Sequence, residues 1–219
     1  ALWAMTTTAT SNGSSNCSID KLSPLTRLMA LANMQTNCWF GGIGAGFMNY
    51  YVFIIIAVFI SGLMVGRTPE LLGRKIEANE MKIAIIVALI HPFLILSGTA
   101  ISALTQLGPH TFHTFCQMLY EFTSASANNG SGMNSLSYNN AFWNISTGVV
   151  MLIGRYVPII GQIAIAGMLS EKKQIPESAG TLKTDTITFS IMTFAVIIIV
   201  AVLSFFPALT LGPIAELIR

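Results

Sequence analysis

The sequence predicts an all-α integral membrane protein with four transmembrane helices, a short re-entrant helix and polar, glycine-bearing loops. Apolar residues make up 53% of the chain and charged residues only 9%, against roughly 25% charged in an ordinary soluble domain. Four segments meet the need for about 20 largely uncharged apolar residues to cross a bilayer. Two polar ribbons, "TTTATSNGSSN" (Thr6–Asn16) and "TSASANNGSGM" (Thr123–Met133), interrupt this apolar text and resemble each other.

The four spans are Phe40–Val65, Ile83–Leu104, Phe142–Leu169 and Phe189–Leu211, the third interrupted by Arg155. Arg67, Arg74, Lys75 and Lys82 follow the first span, and Lys172, Lys173 and Lys183 follow the third. The stretch between the second and third has no Lys or Arg. The positive-inside bias therefore puts both basic loops in the cytoplasm, and residues 1–39, 105–141 and the C-terminus outside. Lys21 and Arg27 dissent from that assignment. Before the second ribbon, "LGPHTFHTFCQMLYEFTS" spaces Phe112, Phe115, Leu119 and Phe122 at helical intervals. A helix of about 10 to 14 residues is too short to cross and is expected to be re-entrant or buried. "ALWAM" before the first ribbon is expected to be the tail of its counterpart.

Setting Gly13 on Gly130 aligns the ribbons without gaps: Asn12 falls on Asn129, Ser14 on Ser131 and Thr6 on Thr123. After each comes a polar connector, then a span ending in a small-residue pair and basic residues. The result is an internal repeat of about 117 residues, of a kind common among transporters. The first connector carries an extra amphipathic stretch, "KLSPLTRLMALANM".

Non-helical backbone at membrane depth is tolerated where it is buried in protein or lines a water-filled path. Glycine admits backbone angles closed to other residues, so successive carbonyls turn towards one axis, where they replace the hydration shell of a cation. Gly13 and Gly130 are the expected centres of such ribbons. The bland reading is a pair of external loops built from turn residues; the gapless duplication argues against it. Arg155, near the middle of its span, is expected to face protein or an aqueous cavity, with either a functional role or a pairing to a carboxylate or helix-end carbonyls. His91-Pro92 suggests a kinked helix with a satisfied imidazole, and His110 and His113 the surface of the re-entrant helix. Glu121 either shapes a cation path or is solvated at the outer mouth.

The loop "GRTPELLGRKIEANEMK" suggests a helix start at Thr68-Pro69-Glu70, and is either a solvated connector or a docking surface. "GGIGAG" opens a membrane span rather than following a strand, so it is a helix-packing signal and not a dinucleotide fingerprint. The three widely spaced cysteines (Cys17, Cys38, Cys116) imply neither a disulfide framework nor a zinc site. With no phosphate-binding loop, metal-ligand cluster or nucleophile triad, neither ATP chemistry nor a bound cofactor is expected on this chain. The net charge of +2 gives no sign of nucleic acid.

"AVFISGLMVGRTPELLGRKIEANEMK", "TSASANNGSG", "FWNISTGVVMLIGRYVPIIG", "ESAGTLKTD" and "FFPALTLGPIAE" resemble the potassium-transporting A subunit of the bacterial Kdp ATPase over essentially the whole chain. The resemblance implies the C-terminal two-fifths of a four-repeat, potassium-channel-like fold. Each repeat would hold an outer helix, a re-entrant pore helix with its filter ribbon, and an inner helix. Residues 1–65 would then be the end of the third pore helix, its filter and inner helix; 66–82 a cytoplasmic loop; 83–169 the fourth repeat; 170–188 a second cytoplasmic loop; and 189–219 a final transmembrane helix.

Gly13 and Gly130 would be filter glycines, and Thr10, Ser11, Asn12, Asn128 and Asn129 neighbouring filter backbone binding K+. Arg155 and Arg67 would lie near the ion's route. The resemblance further implies a multi-pass protein of the bacterial inner membrane, with a P-type ATPase catalytic subunit and a small accessory subunit as partners. A stand-alone potassium channel or secondary transporter with the same pore is the alternative. The family's acidic residue just before the first-span glycines has no counterpart in "MQTNCWFGG", so no cation-attracting role is expected there.

Overall fold

A computed structural model of the chain describes residues 1–40, 44–66, 68–105, 111–133, 139–174, 176 and 184–218. Arg67, His110, Lys183 and most of "ESAGTLKTD" lie outside them. The fold is almost wholly helical: α1 (Leu2–Ala9), α2 (Pro24–Thr36), α3 (Ala45–Val65), α4 (Ala78–Thr105), α5 (Phe112–Ser126), α6 (Ala141–Glu171), α7 (Ile187–Leu209) and α8 (Ala215–Ile218). A five-residue π-turn, Thr210–Ile214, carries α7 into α8. The helices α3, α4, α6 and the α7–α8 run are long and apolar enough to cross a membrane. At about 1.5 Å per residue, the 15-residue α5 covers roughly 22 Å, short of the ~30 Å hydrocarbon core.

Helix starts follow local chemistry. Ser23, Thr111, Asn140 and Thr186 each accept, through their side-chain oxygen, a backbone N–H of the first turn of α2, α5, α6 and α7. The first span begins later than Phe40: Gly44, at φ 81°, caps α3 with open space around its α-carbon, so its role is backbone freedom and not close helix packing. The loop after α3 departs from the expected helix start. It forms a two-stranded hairpin, β1 (Glu70–Leu71) with β2 (Arg74–Lys75), pairing Glu70 with Lys75 and Leu71 with Arg74. Leu72 and Gly73 both have positive φ, 53° and 69°, as a type I′ hairpin turn requires. The helix begins only after Glu77, whose N–H donates to the Glu80 carboxylate at 2.8 Å.

Close packing rests on glycine. A Cβ at Gly161 of α6 would lie 2.4 Å from Val87 of α4, and one at Gly154, two turns earlier, 2.8 Å from the Ser126 carbonyl of α5. Small residues let the backbones of neighbouring membrane helices approach in this way. Gly98 of α4 leaves room for the ring of Phe122, itself 5.5 Å from Trp143 between centroids.

Ion pairs fasten both ends. On the basic-loop side, Lys172 reaches Glu80 (2.9 Å) and Glu77 (3.1 Å), and Arg74 donates to the Leu169 carbonyl at the end of α6. At the opposite end Arg27 of α2, buried to 3% exposure, pairs with Glu216 of α8 at 2.6 Å. His113 Nδ1 lies 2.9 Å from the same Glu216 oxygen, and its Nε2 3.2 Å from Gln117. His113 is therefore part of a polar cluster and not merely helix surface. Arg27's dissent from the charge rule also has a local account, since Glu216 neutralises it.

Gly98→Ala would drive a methyl to 2.3 Å from the Phe122 ring. Overpacking of about 1–3 kcal/mol outweighs a helix-propensity gain of about 1 kcal/mol, so the thermal unfolding midpoint of the purified membrane protein should fall. At the basic-loop end, hydrogen bonding from Lys172, with the charges of Lys172 and Lys75, holds the Glu77 carboxyl below its ordinary range. A lowered folded-state pKa means the clasp is intact above the usual carboxylate range and is lost as pH falls through and below it. Amide exchange in residues 70–77 should accelerate on that acidification, and Lys172→Met should remove the dependence.

Candidate functional site

The two ribbons are built by the same local events. Their first four residues are helical, Thr6–Ala9 in α1 and Thr123–Ser126 in α5, so the non-helical part of each is shorter than the sequence suggests. Each helix then ends on a left-handed residue, Ser11 (φ 52°) and Asn128 (φ 53°). One residue further on, the N–H of Asn12 donates to the Thr7 carbonyl (3.0 Å) and that of Asn129 to Ser124 (2.9 Å), the long hydrogen bond of a Schellman cap. An asparagine turn follows: Asn12 Oδ1 accepts from the Ser14 N–H (3.1 Å), Asn129 Oδ1 from the Ser131 N–H (3.2 Å). The residue spanned is a glycine at positive φ, Gly13 at 73° and Gly130 at 86°.

An aromatic tip braces each ribbon. Trp3 Nε1 donates to the Ser14 carbonyl at 3.2 Å, and the hydroxyls of Tyr120 and Ser131 meet at 2.9 Å. Trp3 and Tyr120 occupy the same place when Gly13 is set on Gly130. Sequence reading missed them because one bonds through an indole N–H and the other through a phenol, although their shared position was a usable signal.

The ribbons also meet. Asn129 Nδ2 donates to the Thr7 carbonyl at 3.2 Å, and the Gly13 α-carbon lies so close to the Asn129 carbonyl that a Cβ there would be 1.8 Å from its oxygen. Gly130 has open space at the corresponding point.

A third helix end joins them. Asn37, left-handed at φ 44°, terminates α2 and accepts the Ser11 hydroxyl on Oδ1 at 3.1 Å. Asn49 of α3 donates to the Asn37 carbonyl at 3.0 Å, and Gln162 of α6 donates to Asn49 Oδ1 at 3.3 Å. Asn37, Asn49 and Gln162 were not anticipated; Asn49 and Gln162, lone amides inside apolar spans, were the available hint. Beneath the ribbons a cavity of about 20 Å³ is lined by Asn37, Asn49, Ser126, Asn128, Arg155 and Gln162, among others. It shares Asn37, Asn49, Gly154 and Pro158 with a neighbouring cavity of about 40 Å³ that reaches Gln35 and His91.

Arg155, Pro158, Ile159 and Gln162 recur at helical intervals and present one face of α6 to the first of these cavities. Among the described residues Arg155 has neither a hydrogen bond nor an ion pair. Of the alternatives expected for it, pairing with a carboxylate is thus not found among the described residues. Instead the cation shares its cavity with the carbonyl-rich end of α5, the negative pole of that helix. Of the residues expected at the site, Thr10, Ser11, Asn12, Gly13, Asn128, Asn129 and Gly130 form the two ribbons and Arg155 lies beneath them. Arg67 is outside the described residues.

Fold and site together define a multi-helix membrane protein built around a pair of equivalent helix-end ribbons. The chain belongs to the family described as "Potassium-transporting ATPase A subunit", which matches residues 1–218. It is similar to proteins named "Potassium-transporting ATPase potassium-binding subunit" from Parabacteroides distasonis (61% identity), Flavobacterium johnsoniae (56%) and Geobacillus kaustophilus (52%). These alignments cover 98–99% of this chain and 40% of each relative. The chain thus spans about two-fifths of the length of the relatives it matches.

Gly13→Ala should force the ribbons apart, since the added methyl meets a backbone carbonyl and the left-handed angle adds strain of roughly 1–2 kcal/mol. The thermal midpoint should drop markedly relative to Ser15→Ala, an exposed change on the same loop.

Proposed function

We propose that this chain supplies two of the four filter quarters of the potassium-binding subunit of an ATP-driven potassium importer. The carrying observation is the pair of matching ribbons, each a Schellman cap followed by an asparagine turn over a glycine, in contact through Gly13 and the Asn129 carbonyl. Left-handed residues alternate with others at Ser11 and Gly13, and at Asn128 and Gly130, which frees carbonyls from helical pairing to meet a cation. The ends of α1, α2 and α5 converge here, and their negative poles favour the same charge.

On this reading α5 is a re-entrant pore helix and α1 the end of another. The ring continues on the open side of Gly130, with two further ribbons from the rest of the subunit. K+ loses its hydration shell at the carbonyls of residues 10–13 and 128–130 and enters the polar cavity below. There Arg155, a fixed cation, keeps the ion from resting too tightly and helps send it on. A partner P-type ATPase subunit hydrolyses ATP and receives the ion, a small accessory subunit completes the complex, and the whole resides in the bacterial inner membrane. The stand-alone channel or secondary-transporter reading draws no support from relatives whose names make them ATPase subunits.

The test is Gly130→Asp in the complete complex. The expected outcome is a large rise in the K+ concentration for half-maximal ATP hydrolysis, with weakened discrimination of K+ from Na+. Unchanged K+ affinity and selectivity would sink the filter assignment.

A further inference from the structure

His91 stands near the middle of α4, yet both its ring nitrogens are engaged by other elements. Nε2 lies 3.1 Å from the Met34 carbonyl of α2, and Nδ1 2.8 Å from the Ser126 hydroxyl of α5. A carbonyl only accepts, so Nε2 carries the proton; Nδ1 is then the acceptor and Ser126 the donor. Met34 lies in the last turn of α2, where helical carbonyls lack partners within their own helix. Ser126 is the last residue of α5, two before the left-handed Asn128.

Each of these contacts leads into a ribbon. Ser126 is also packed closely against Gly154 of α6, and its carbonyl accepts from Asn128 Nδ2 at 3.4 Å. A displacement of Ser126 therefore passes to the peptide that turns the second ribbon. Met34 lies three residues before Asn37, whose side chain holds the Ser11 hydroxyl of the first ribbon. The imidazole thus joins the supports of both ribbons, the end of α2 and the end of α5. Its ring meets that of Phe205 of α7 in a T-shaped contact, with centroids 6.0 Å apart, which restricts its rotation.

We infer that His91 is a positioning residue for potassium selection, fixing the two ribbon caps relative to each other through its paired hydrogen bonds. The inference rests on the filter reading above. It requires a neutral imidazole acting as one donor and one acceptor, and it assigns His91 no contact with the ion.

The test uses the complete potassium-transporting complex and K+- or Rb+-stimulated ATP hydrolysis. His91→Leu removes both hydrogen bonds, each worth roughly a factor of two to ten in net terms. It should raise the KM for K+ by about tenfold and reduce the preference for K+ over Rb+, with kcat within about twofold of the parent. His91→Gln keeps one donor and one acceptor and should recover most of the affinity and preference. Ser126→Ala, which removes only the hydroxyl, should show the same KM shift in weaker form.

A KM and ion preference unchanged in His91→Leu would overturn the inference, as would His91→Gln behaving no better than Leu. If His91→Leu fails to assemble, Ser126→Ala and His91→Gln decide: parental KM and preference in Ser126→Ala overturn it, and a shift there with recovery in His91→Gln supports it. Gly130→Asp separates the two levels. Loss of K+ affinity there with none in the His91 and Ser126 variants rejects the positioning role alone, whereas no loss in Gly130→Asp rejects the filter itself.

Discussion

The close approach of Gly13 to the Asn129 carbonyl is the constraint from which the rest of the site follows. A backbone carbonyl buried away from water must find a donor, a cation or a packed protein surface. Here one ribbon's carbonyl is laid against the α-carbon of the other, a contact only glycine permits at that distance and backbone angle. Everything around it serves to bring two helix ends to one place. The glycines of α6 let α4 and α5 approach, the aromatic tips of Trp3 and Tyr120 pin the ribbon residues that follow, and Asn129 reaches across to Thr7.

This arrangement explains why the ribbons are written in small polar residues. Hydroxyls and amides satisfy local backbone groups, as Asn12 and Asn129 do for the N–H groups two residues on, and leave main-chain oxygens for other use. The side chains are scaffolding, and on the proposed filter reading the chemistry belongs to the backbone. The same economy appears in the membrane interior, where Asn49 and Gln162 extend a polar line from the ribbons through α3 to α6 without introducing a charge.

Much of the fold was legible because its signals are local. Long uncharged apolar runs gave the four spans, the first starting five residues later than expected, at Ala45, because the left-handed Gly44 cap delays the helix. The duplicated Asn-Gly-Ser text gave the ribbons and their equivalence. What escaped had one of two causes. Some contacts join distant residues of unlike type, such as His91 with Met34 and Ser126, or Asn37 with Ser11, and no spacing rule links them. Elsewhere one local signal masked another: Thr68-Pro69-Glu70 has the composition of a helix start, but Leu72-Gly73 enters a type I′ turn and the hairpin prevails. The amphipathic stretch after the first ribbon looked like a connector; its buried face, with Ala30, Leu31 and Met34 at 0% exposure, makes it a third supporting helix.

That third helix alters how the two repeats are compared. Ribbon two is supported by α5 and by the direct contact of Asn128 Nδ2 with the Met151 carbonyl of α6. Ribbon one follows α1 and takes lateral support from the end of α2 through Asn37. The insertion "KLSPLTRLMALANM" therefore supplies from one side what α6 supplies from the other. It is itself anchored at its far end by the Arg27–Glu216 pair, which ties α2 to the last helix, so a charge that breaks the positive-inside pattern is what holds the first ribbon's support in place.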